Sequence, residues 1–146
     1  MTKTMLYGAP KVDETNAAYA AVSSLEPFQW KNRVLVVFSS DDDPRGESQV
    51  NGLLSQRLGL SERDMVVLRV RDGLLEPVFG DTPDINVDDL RRDLEAPDAA
   101  DFAAMLIGKD GTVKLRVSEP IVGPELFSIV DSMPMRAAEA TRRQTQ

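Results

Sequence analysis

Hydrophobic positions gather into short runs divided by glycine, proline and acidic residues. Arg33-Val-Leu-Val-Val-Phe38 is a continuous apolar run rich in β-branched residues, which predicts a strand buried on both faces. Ser39 to Asp43 reads as a polar loop, with Asp43 as N-cap and Pro44 at the first position of a helix. Val50, Leu53, Leu54 and Leu58 form that helix's inner stripe, and Gly59 reads as its stop. Met65 to Val70 is a second strand, and Arg71 to Pro83 reads as a long irregular stretch. Asn86 caps a helix carrying Val87, Leu90 and Leu94 on one side. Phe102 to Ile107 is a third strand, and Asp110-Gly111 signals a type I′ hairpin turn. Val113, Leu115 and Val117 alternate with Lys114, Arg116 and Ser118, the pattern of a half-exposed fourth strand. Gly123-Pro124 opens a last helix with Leu126, Phe127 and Val130 facing inward, ended or kinked by Pro134. Alanine enrichment allows a short helix from Asn16 to Ser24.

The predicted order is β-α-β-α-β-β-α. A strand–helix–strand unit is right-handed and parallel by default. Followed by an antiparallel hairpin and a covering helix, it gives the thioredoxin-like arrangement, an α/β domain with a four-stranded mixed sheet. Residues 1–27 are assigned to an N-terminal arm, 28–136 to the domain and 137–146 to a C-terminal tail.

Composition narrows the chemistry. The chain has 146 residues, enough for one core, and a net charge of −7. Such a charge offers nucleic acid or anionic lipid no general attraction, so neither is expected as a partner. No run is long enough to span a bilayer, so membrane insertion is not expected. Cysteine and histidine are both absent. Thiol–disulfide and thiol-peroxidase chemistry are thereby excluded, along with the commonest general base and the commonest metal ligand. No cofactor is expected. As written the sequence reads as cytoplasmic, or as exported if a leader has been removed.

Three segments carry a resemblance: Trp30-Lys-Asn-Arg-Val-Leu35, Ile107-Gly-Lys-Asp-Gly-Thr-Val-Lys114 with Arg116, and Val130-Asp-Ser-Met-Pro-Met-Arg136 with Glu139. Together they resemble the bacterial family known as domain of unknown function 4174, itself similar to a domain of some secreted animal sushi-repeat proteins. The resemblance spans roughly Leu25 to Glu139. It implies a thioredoxin-like fold and no established activity, and it transfers no catalytic residues.

Each candidate site has a plainer counterpart. Asp41, Asp42 and Asp43 offer oxygens to a hard cation such as magnesium or calcium, but lack the alternating spacing of an EF-hand loop. One helix cap plus two solvated carboxylates explains them as well. Ser39 and Ser40 have no histidine to activate them. Lys109-Asp110-Gly111 lacks phosphate-loop spacing, and the hairpin accounts for it. Trp30 reads as a stacking platform or as a partly buried packing residue, and Met133 with Met135 as an adaptable surface or a core cap.

The predicted topology brings Trp30, Lys31, Arg33, Lys109, Asp110 and Arg136 to one end of the sheet, opposite the end where a thioredoxin keeps its cysteines. A structural staple of those basic residues with Asp110, Asp131 and Glu139 is the preferred explanation, and a ligand site is the other. Arg136 is expected to pair with Asp110, Asp131 or Glu139, in that order. The functional expectation is a non-catalytic binding or interaction module with an unknown protein or small-molecule partner. The alternative is a carboxylate enzyme holding a divalent metal at Asp41–Asp43. Nothing in the pattern fixes the oligomeric state.

Overall fold

The computed structural model describes residues 20–97, 101–136 and 138–139. Its centre is β1 (Arg33–Phe38), whose six residues are all buried, as a continuous apolar run requires. β1 pairs in parallel with β2 (Met65–Arg71) and antiparallel with β4 (Ala103–Ile107). β4 pairs in turn with β5 (Val113–Val117). These are the pairings that the sequence pattern predicts for the four strands.

The sheet nevertheless has five strands, in the order β3-β2-β1-β4-β5, and not the expected four. β3 (Leu74–Phe79) lies within the stretch read as irregular and pairs antiparallel with β2. Asp72 and Gly73 both have positive φ, 52° and 79°, which is the backbone of a type I′ two-residue hairpin. Pro77 obscured the strand, but an edge strand tolerates a proline beside a bulge, and the β2–β3 register shifts there.

The turn expected at Asp110-Gly111 is also corrected. Gly111 has φ +87° while Asp110 is not in the left-handed region. The Gly111 N–H donates to the Gly108 carbonyl (2.9 Å), and the β4–β5 register slips next to the turn. This is a three-residue loop with a glycine bulge.

Strand alternation divides the core into two layers. Leu35 and Val37 face α1 (Pro44–Leu54), α2 (Arg57–Glu62) and α4 (Gly123–Asp131), packing with Leu53, Leu60, Leu126 and Phe127. Val34, Val36 and Phe38 face a 3₁₀ turn (Ser23–Phe28) and α3 (Val87–Asp93), packing with Leu25, Phe28 and Leu90. Burying each such side chain contributes roughly 1.5–3 kcal/mol. Val22 and Leu25, assigned to the arm, belong to this second layer. The expected helix from Asn16 lies partly outside the described residues, and from Ser23 onward the chain forms the 3₁₀ turn.

Asp43 caps α1 as expected, its carboxylate accepting from the Arg45 N–H at 2.9 Å, and Asn86 caps α3 likewise. Gly59 is not a stop. The helix breaks earlier, at Ser55 and Gln56, and Gly59 lies inside α2. A side chain there would collide with the Phe127 ring. The break turns Leu60 inward and leaves Leu58, expected on the inner stripe, 78% exposed.

Candidate functional site

Antiparallel β4 returns the chain to the end of the sheet where β1 begins, and α4 ends there too. The loop after α2, the β4–β5 hairpin and the helical residues Pro134 to Arg136, with Glu139 beyond them, meet at this Arg33 pole. Backbone bonds tie them together: the Arg33 N–H donates to the Asp64 carbonyl (3.0 Å), and the Trp30 N–H to the Lys109 carbonyl (2.6 Å).

Charge locks the junction. Arg33 is 1% exposed, and its guanidinium donates to the Arg63 carbonyl (3.0 Å) and to the Glu139 carboxylate (3.3 Å). Lys109 donates to Glu139 at 2.6 Å and to Asp64 at 2.9 Å. Arg136, also buried, pairs with Asp131 at 3.1 Å, reaches Glu139 at 3.9 Å and donates to the Glu62 carbonyl at 3.1 Å. Arg63 closes the ring with a bidentate grip on Asp131, both contacts at 2.9 Å. Burial pushes the Glu139 and Asp131 carboxyls up, but hydrogen bonds outweigh it, from Lys109 and Arg33 on one and Arg63 and Arg136 on the other. Both groups are held below their ordinary values.

The expected staple therefore exists, with its preferred partner corrected. Asp110 does not meet Arg136. It accepts from the Thr112 N–H (3.0 Å) and from Lys114 (2.9 Å), which shapes the hairpin instead. Trp30, one of whose expected roles was packing, is 64% exposed and held at φ 67°. Lys31 is exposed beside it. Of the six binding candidates, Arg33, Lys109 and Arg136 join one network through Glu139, whereas Trp30, Lys31 and Asp110 border it.

Between the hairpin and the turn after α4 lies a cleft of about 420 Å³. Ile129, Met133, Pro134 and Met135 supply an apolar wall, and Lys109, Asp110 and Lys114 supply the opposite rim. Asp64 and Lys114 were missed as members of this pole. Lys114 stands inside a motif segment and was legible. Asp64 was not, because only the loop's left-handed turn (φ 51°) aims it at Lys109.

The Phe38 pole is arranged differently. Asp41 pairs with Arg71 (3.0 Å), Asp42 accepts from the Ser40 hydroxyl (3.3 Å), and Asp43 is held by Arg45 (2.8 Å). The three carboxylates that the alternative reading assigned to a cation thus point to three different partners. Among the described residues no group of three or more metal-ligating side chains comes together. Asp43 is held below its ordinary value by its hydrogen bonds with Arg45. No helix among the described residues is long and apolar enough to cross a membrane.

A mixed α/β sheet with a motif-lined cleft at one end is the class that fold and site define. Residues 24–139 match the family described as domain of unknown function (DUF4174), and the chain belongs to that family. The match takes in all three motif segments, although Arg116 of the second reaches the Leu94 and Glu95 carbonyls, away from the Arg33 pole.

Proposed function

We propose that the protein is a non-catalytic binding module of thioredoxin-like topology whose ligand-facing surface is the cleft at the Arg33 pole. Removing the edge strand β3 leaves β2-β1-β4-β5, the strand order and directions that topology requires, and this supports the fold reading. The observation that carries the functional reading is the convergence of the Gly108–Asp110 and Met133–Met135 segments on one cleft of about 420 Å³. That volume falls within the roughly 300–1,000 Å³ of small-molecule sites. The charge network serves this site by fixing its wall: Arg136 and Glu139 anchor the turn that carries Met133, Pro134 and Met135. Methionines make such a wall adaptable.

Titration of the isotope-labelled full chain with the neutral apolar probe 1-octanol, followed by amide NMR, tests the reading. Shifts should concentrate on 108–114 and 129–135 and be weakened by the cleft-filling substitution Met135→Trp. Shifts clustered instead at 39–45, or spread evenly over the surface, would defeat it.

A further inference from the structure

We infer that the cleft selects a small aliphatic monocarboxylate, an unbranched apolar chain ending in a carboxylate, over neutral apolar molecules of the same length. This rests on the reading of the cleft as a binding site and adds the class of ligand.

The apolar part of the argument is the wall. Ile129 is buried, Met133 is half-buried against the core, and Met135 is 41% exposed at the edge. A hydrocarbon chain laid there removes apolar surface on both partners from water, and flexible thioethers conform to it. Lys109 and Lys114 line the cleft as well, and lysine stems can cover hydrocarbon while their ammonium groups stay polar.

The polar part is the sign of the rim. Lining the cleft are Arg33, Lys109 and Lys114 against a single carboxylate, Asp110, in a chain of net charge −7. Arg33 and Lys109 are committed to Glu139 and Asp64 behind the floor. Lys114 is not committed in this way. Its side chain is 33% exposed, and it pairs with the partly exposed Asp110 at 2.9 Å. An ammonium carries three donors, so Lys114 retains donors for an incoming carboxylate. Gly108 leaves room for it, since a side chain there would meet Lys114 Cε at 2.6 Å. An alcohol meets the ammonium only as a neutral acceptor, whereas a carboxylate adds the attraction of a full opposite charge, and this difference is what favours carboxylate over alcohol.

Calorimetric titration of the full chain with octanoate and with 1-octanol, paired with amide NMR, tests the inference. Octanoate should bind about ten-fold more tightly than 1-octanol, a factor equivalent to about 1.4 kcal/mol. Lys114→Gln should bring octanoate down to the affinity of the alcohol. Arg57→Gln, the same change of charge at an exposed position outside the cleft, should leave octanoate binding as it was. Equal affinities for the two probes would overturn this inference while leaving the binding-site reading intact, and failure of both to bind would overturn both. Binding to phosphatidylglycerol vesicles with no binding of free octanoate would assign the chemistry to a lipid surface and refute the proposal.

Discussion

The two ends of the sheet use acidic residues in opposite ways. At the Phe38 pole Asp43 pairs with Arg45 two residues on and Asp42 with Ser40 two residues back, while Asp41 reaches the partly exposed Arg71 on β2. At the Arg33 pole the partners come from distant parts of the chain: Glu139 meets Arg33 and Lys109, and Asp131 meets Arg63. Local pairs among exposed groups contribute little, because water competes and side-chain entropy is lost. Pairs that bury an arginine are costly to break, since the cation left behind has no water to replace its partner. The comparison thus separates acidic residues that finish a loop from acidic residues that hold the tertiary structure shut.

The largest expected effect follows from removing the centre of the network. Glu139→Gln preserves shape but leaves Arg33 and Lys109 short of a negative charge, and it should cost about 3 kcal/mol in chemical denaturation. A cost below about 0.5 kcal/mol would place this pole on the same footing as the other. Arg136→Ala, which removes the pairing with Asp131 and the bond to the Glu62 carbonyl, should cost about 1–3 kcal/mol in the same measurement.

Acid should expose the same asymmetry. Glu139 and Asp131 titrate below their unfolded values of about 4.3 and 3.9. As the pH falls, the unfolded chain therefore takes up protons first. The stability these groups add is complete above that range and is lost as the pH drops through their folded values. Thermal melts from pH 6 down to about pH 3 should steepen accordingly, and Glu139→Gln should flatten the curve. Equal slopes for the two proteins would contradict the assignment.

A pair of glycines on α1 sharpens the view of the Phe38 pole, where packing takes over from charge. At Gly46 a side chain would collide with Ser39 and come within 2.7 Å of the buried Arg69 guanidinium, so Gly46→Ala should destabilise by about 1–3 kcal/mol. Gly52, with nothing within 4 Å of an added methyl group, should gain roughly 0.5–1 kcal/mol as alanine. Opposite signs in parallel unfolding curves are the diagnostic.

The smallest effects separate the three acidic residues of the loop after β1. Asp43→Ala removes the α1 cap and should cost about 1 kcal/mol, whereas Asp42→Ala should change stability by less than about 0.5 kcal/mol. Magnesium and calcium should give no heat of binding to the full chain. A saturable isotherm abolished by Asp42→Ala would restore a metal role to this loop.

Much of this was legible along the chain because its causes are local. Five consecutive apolar residues, Val34 to Phe38, require a strand covered on both faces, Asp43-Pro44 and Asn86 fix two helix starts, and Gly123-Pro124 fixes a third. The absence of cysteine and histidine by itself excludes thiol and imidazole chemistry. The misread elements depended on neighbours. Gly59 stays helical because Phe127 packs against its bare backbone, and Pro77 stays in a strand because that strand is an edge.

The site divides along the same line. The sequence brought Trp30, Arg33, Lys109 and Arg136 to one end through the order and direction of strands. It could not decide which carboxylate each base would meet, because ion pairs are chosen by distances of a few ångströms between segments far apart in the chain. The left-handed turn at Asp64, the bulged hairpin that gives Asp110 to Lys114, and the short turn carrying Glu139 made that choice. Composition and hydrophobic period determined the layers and the forbidden chemistry. Tertiary packing alone decided that Glu139 is the centre of the pole and that a cleft opens beside it.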